Sequence, residues 1–122
     1  MIPFRSPFSL SALQAAALGL AAAGALWGQE PRAILSPSRG TRPAARARQT
    51  AYYLAHVAGG LSVSEVAALF GRSRRAVRHG CARLEDARDA ASWDRALALL
   101  ERGLAAQRNL CDAWARGAGD AR

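Results

Sequence analysis

The sequence contains no lysine. All 17 basic residues in the 122 are arginine, and they face nine acids for a net charge of +8 and a pI near 11.3. Strand-forming side chains are scarce too, with four valines and two isoleucines, which argues against a sheet. The two cysteines, Cys81 and Cys111, form no CxxC pair and have no histidine at ligand spacing. They read as small buried apolar groups in a reducing cytoplasm, rather than as a disulfide or a metal site. The phosphate-loop pattern G-x-x-x-x-G-K-[ST] is missing, and a chain this short has no room for a nucleotide-hydrolysing module beside its core. His56 and His79 have no carboxylate or nucleophile at catalytic spacing. No catalytic residue, metal or cofactor is expected, and the chain does not read as an enzyme.

What is present is alanine, at 30 positions, within a composition that is 51% hydrophobic and 21% charged. Such a chain folds, and its abundance of strong helix formers predicts a small all-α bundle. The charge is unevenly placed. Residues 1–30 are balanced by Arg5 and Glu30; residues 31–83 carry ten arginines against Glu65 alone; residues 84–122 sum to −1. A localised basic face of this kind calls for an anionic partner, either nucleic acid or an acidic membrane surface.

Residues 10–27 form the longest apolar run and admit two readings. Eighteen residues behind Arg5 could be the apolar stretch of an exported or membrane-anchored protein. Yet the run is short for a span, half alanine, and interrupted by Ser11 and Gln14. Leu13, Ala17, Leu20, Gly24 and Trp27 instead suggest one buried stripe of a core helix. Residues 28–43 then read as a basic loop anchored by Ile34 and Leu35. Pro43 opens a helix to about Ala58, with Ala47, Ala51, Leu54, Ala55 and Ala58 on its apolar face. The residues Gly59-Gly60 end it.

Ser62 and Glu65 have the spacing of a capping box, opening a helix to Phe70. Gly71-Arg72-Ser73 is a tight turn, and Ser73 caps a second helix that runs to about Arg88 and points Val77, Cys81 and Leu84 inward. Two short helices joined by a glycine turn make a helix-turn-helix, here spanning residues 62–88. Ala67 falls where the helices cross, Gly71 takes the positive φ, and Val66, Phe70 and Val77 set the angle. The exposed start of the second helix carries Arg74, Arg75, Arg78 and His79 with no acid among them.

Groove geometry assigns the roles. Arg74, Arg75 and Arg78 would read base edges in the major groove of double-stranded DNA, while Ser62, Arg72, Ser73 and His79 meet the backbone. Arg39, Arg42, Arg46 and Arg48 would meet phosphates or enter the adjacent minor groove. A last helix, capped by Ser92, should run from Trp93 to about Trp114. Trp93, Leu97, Leu100 and Leu104 should pack on the Leu13–Leu20–Trp27 stripe of the same chain. The same spacing continues through Gln107 and Cys111 to Trp114, a heptad seam that leaves Leu110 and Trp114 as a partner or homodimer surface.

From Arg46 to Leu84 the sequence resembles the C-terminal DNA-binding domain of the bacterial replication initiator DnaA, whose helix-turn-helix belongs to the Trp-repressor-like group. Arg48-Gln49, Ala51-Tyr52 and Leu54 match that family's opening pattern. Leu61-Ser62, Glu65-Val66 and Phe70-Gly71 match its landmarks, and Val77, His79 and Cys81 its recognition helix. More loosely, Ile34-Leu35-Ser36 resembles the segment before the family's basic loop, and residues 10–27 and Trp93 to Leu104 its first and last helices. The resemblance implies an N-terminal tail (1–9), a DNA-binding domain (10–104) and a C-terminal helical extension (105–122). The family reads its site with an Asp-His-Thr-Thr stretch where this chain has Ser73-Arg74-Arg75-Ala76, which implies a different target. The resemblance further implies a cytoplasmic, nucleoid-associated regulator like the stand-alone activators of gene transfer agent clusters in α-proteobacteria, working with RNA polymerase or a co-activator. Competition with the initiator at replication origins is the alternative, and a membrane-associated basic protein the third.

Overall fold

The computed structural model describes residues 10–120, which form six helices and no strand. They are α1 (Leu10–Trp27), α2 (Pro31–Leu35), α3 (Arg42–Val57), α4 (Val63–Phe70), α5 (Arg74–Ala87) and α6 (Ala91–Asp120). The chain is thus a small all-α bundle. The tail at 1–9, with Arg5, and the last two residues lie outside the described residues, as does the side chain of Cys111.

Helix α3 is the axis of the bundle. Its expected apolar face is buried in full: Ala47, Ala51, Leu54 and Ala55 are inaccessible and Ala58 nearly so. Burial extends around the helix to Arg48, Thr50, Tyr52 and Tyr53, because other helices pack on it from several sides. Helix α1 lies closest. A Cβ added to Gly19 would sit 3.2 Å from both the Ala51 carbonyl and the Ala55 amide, so that glycine lets two backbones meet.

The buried stripe of α1 differs from expectation by about one residue of rotation. Ala12, Gly19, Ala23 and Gly24 are buried, whereas Leu13 is 38% exposed and Ala17 faces solvent. Alanines spread over most sides of α1 leave its apolar face poorly defined, and close approach to α3 favours its smallest side chains over its largest. Among the described residues no helix is long and apolar enough to cross a membrane.

Capping follows local sequence closely. Ser62 Oγ accepts from the Glu65 amide at 3.1 Å, and Glu65 Oε1 accepts from the Ser62 amide at 3.0 Å. Gly71 takes φ +65°, and the Arg72 amide then donates to the Ala67 carbonyl at 2.9 Å. Ser73 Oγ accepts from the Ala76 amide at 3.1 Å, starting α5.

Three features depart from expectation. The basic loop contains the short helix α2, opened by Pro31; its Ile34 is buried, but Leu35 is 46% exposed and anchors nothing. Ser92 does not cap the last helix. Turns at Asp89 and Ala90 end α5, and α6 begins at Ala91; its first bond runs from Asp94 N–H to the Ala90 carbonyl, so Ala90 holds the cap position and Ser92 lies inside the first turn. Nor does α6 stop at Trp114; it continues to Asp120.

The first half of α6 closes the bundle. Trp93 stacks on Trp27 with ring centroids 5.2 Å apart, and Trp27 Nε1 donates to Thr50 Oγ1 at 2.9 Å. Leu97 is inaccessible and joins Tyr53, Leu54 and Leu84 in one cluster, against which Leu100 and Leu104 pack. On α1, Trp27 meets Trp93 and Leu18 shares a cleft with Leu104, whereas Leu13 is 38% exposed and Leu20 packs against the core between α1, α3 and α4. Arg88 ties three helices together: Nε donates to Asp94 at 2.7 Å, and Nη1 donates to Tyr53 Oη at 2.8 Å and to Glu101. The half-buried Cys81 thiol is pushed up to about 11, mainly by burial, and so stays protonated.

Candidate nucleic-acid interface

The candidate site begins with α4 and α5, which pack on each other and on α3. Val66, Phe70 and Val77 are all buried, as expected, and Ala67 is 5% exposed at the crossing. Tyr52, from α3, joins them, meeting Phe70 edge to face at 5.5 Å. On the opposite side of this junction α5 crosses α3 at Gly80. A Cβ there would come within 3.0 Å of the Tyr52 ring and 3.2 Å of Gln49 Cγ.

With 3.6 residues per turn, burying Val77, Gly80 and Leu84 turns the remainder of α5 outward. Arg74, Arg75, Arg78, His79 and Ala82 are all exposed and form one continuous face. Among the described residues none of the three arginines or His79 has a hydrogen bond or ion pair. Ser73 and Ser62 are exposed at their helix starts; each uses its oxygen as a cap and keeps a hydroxyl proton to donate.

The loop arginines separate into two groups. Arg39 and Arg42 are exposed, and Arg46 is half-buried with its guanidinium unpaired among the described residues. Arg48 is different. It is 7% exposed, and its Nε donates to the Ile34 carbonyl at 2.8 Å. Its other nitrogens reach the carbonyls of Ala33, Ser36, Ser38 and Arg39 at 3.3 to 3.5 Å. Burial, and then Arg72 nearby, lower its pKa. Arg48 thus holds the loop from inside and is not placed to touch a phosphate or a groove.

Arg72 is half-buried, and its Nη2 donates to the Ser36 carbonyl. That contact gives the arginine in this turn a structural role. Arg72 reaches out of the turn and ties it to the loop, so Arg48 and Arg72 together lock the loop against the start of α5. Sequence reasoning missed this role, because the acceptors are backbone carbonyls that no residue type signals.

The two histidines also part company. His79 is exposed beside the α5 arginines, while His56 Nδ1 donates to the Leu61 carbonyl at 2.6 Å and clasps the turn after α3. Beyond Leu104, α6 runs along the edge of the bundle, where Arg108 and Asp112 line a cleft with Ser11 and Gln14 of α1. Arg108 Nη1 donates to the Ala58 carbonyl at 3.1 Å, and past it Leu110 and Trp114 are 65% and 79% exposed.

No protein-family model, curated protein or solved structure matches this chain.

Proposed function

We propose that the protein is a sequence-specific double-stranded DNA-binding regulator of transcription, and an activator. The observation that carries this reading is the outer face of α5, where Arg74, Arg75, Arg78 and His79 stand exposed with no acid among them. A structural hairpin would carry mixed charge there; an uncompensated face on a capped, rigidly docked helix suits a major groove. Arginine forks can bond guanine bidentately, which supplies sequence discrimination. The basic loop, clamped by Arg48 and Arg72, holds Arg39 and Arg42 for phosphates or the adjacent minor groove. The resemblance of residues 46–84 to the DnaA DNA-binding domain supports the same reading, as does the turn geometry at Gly71. On this reading the protein works in the cytoplasm at the nucleoid.

Genome-wide occupancy of an epitope-tagged copy tests it. The expected result is a small set of sharp peaks upstream of promoters. Peaks confined to a replication origin would replace activation with competition against the initiator. An absence of peaks, with the protein in the membrane fraction, would sink the DNA reading altogether.

The exposed end of α6 is the proposed contact for a second copy or for the transcription machinery. Leu110 and Trp114 stand one turn apart on the same face of α6, so their exposed side chains make one apolar patch rather than two isolated ones. Changing Leu110 and Trp114 to glutamate is expected to leave helicity unchanged and to remove self-association or co-activator capture. Light scattering and pull-down check this, and unchanged mass together with unchanged capture refutes the surface.

A further inference from the structure

Between the start of α3 and the later turns of α5 lies an open trough of about 440 Å³. Its walls carry Arg39, Arg42 and Arg46 from the loop and α3, and Arg83 from α5, with Gln49 at its floor and no acid anywhere on its lining. None of the four guanidinium groups has a hydrogen bond or ion pair among the described residues. Gln49 Oε1 is buried without a partner, so folding leaves the polar groups here incompletely satisfied. The α3 N-terminus adds little donor capacity of its own: Pro43 has no amide hydrogen, and Thr41 Oγ1 already accepts from Ala44. The attraction for an anion therefore comes from the arginines.

We propose that this trough seats the phosphodiester ridge of DNA, with Arg83 as a phosphate-binding residue. The inference rests on the DNA reading above and deepens it. If the start of α5 enters a major groove and the loop approaches the neighbouring minor groove, the strand dividing the two grooves must pass between them. The trough, walled by the loop, the start of α3 and Arg83 of α5, offers that strand a basic seat. Arg83 stands five residues, about one and a half turns, beyond Arg78, and three beyond Gly80, which faces α3. From there it reaches a phosphate and not a base edge. The four cations repel one another in the free protein, and a polyanion relieves that repulsion as it binds.

The test uses the full chain with three probes: a duplex carrying its selected site, a scrambled duplex, and inorganic pyrophosphate. Each phosphate contact contributes about 0.9 to the slope of log affinity against log salt. Arg83→Ala is expected to lower that slope by about this amount on both duplexes alike. Raising salt from 50 to 200 mM then costs the variant about 3.5-fold less affinity than it costs the wild type. Arg83→Lys, which keeps the charge, should restore the slope, and Arg95→Ala on the exposed face of α6 should not change it. A wild type that binds duplex while Arg83→Ala keeps the full slope overturns the inference and leaves the DNA reading standing. Pyrophosphate that raises the wild-type Tm but not that of Arg83→Ala, with neither duplex bound, would keep a phosphate site. It would overturn the DNA ridge as its occupant, and the DNA reading with it.

Discussion

Replacing Arg74, Arg75 and Arg78 together by alanine is expected to leave a folded protein that no longer distinguishes its site from scrambled duplex. All three side chains are exposed and unpaired among the described residues, so their removal deletes no internal contact. Alanine is also the better helix former, and the like charges removed lie within one turn of each other. Circular dichroism and Tm should therefore match the wild type or rise slightly. The binding loss is another matter. A bidentate arginine–guanine pair is worth about 1–3 kcal/mol of discrimination, so three of them amount to about 100-fold or more on the selected site. Scrambled duplex, held by charge alone, should lose far less. Equal losses on both duplexes would reassign these arginines to phosphates, and no loss at all would remove α5 as the reading face.

Arg48→Ala should do the reverse, destabilising the fold while leaving the α5 face chemically intact. The side chain is buried, and the Ile34 carbonyl bond at 2.8 Å is its shortest contact. Four longer bonds surround it, so alanine would strand several partly buried carbonyls and leave a void where the guanidinium lay. Burial and the neighbouring Arg72 both disfavour the charge at this position. The carbonyls are therefore what hold it there. A loss of about 2–4 kcal/mol is expected, and a Tm lower by about 10–20 °C, read by thermal melting. Arg48→Lys should recover little, because one ammonium cannot fork across carbonyls on both sides of the loop. A Tm unchanged by Arg48→Ala would mean that α2 and Ile34 hold the loop unaided.

The junction of α4 and α5 was legible because its signals are local. Ser62, Glu65, Gly71 and Ser73 each act on amides or carbonyls within a few residues, and Val66, Phe70 and Val77 follow from helical period. The rotation of α1 was not legible. Its alanines make one side as apolar as another, and only the approach of Ala51 and Ala55 to Gly19 selects a face. Ser92 marked the start of α6 only approximately: the helix begins at Ala91, so the cap position falls on Ala90 and the serine lies in the first turn.

The sequence by itself determined the helical class, the turn at Gly71, the capped start of α5 and the concentration of arginine between residues 31 and 83. Only the tertiary structure decided which arginines face outward. Arg46 and Arg48 are two positions apart, yet one lines an open trough and the other fills the inside of a loop. Arg72, expected at the backbone, is bound to Ser36, while Arg83, which carried no signal of its own, joins the basic surface. The reason is one of range. A cap or a turn is satisfied by neighbours along the chain, whereas a guanidinium is satisfied by carbonyls that arrive from 14 or 36 residues away, and their positions exist only after the helices have packed.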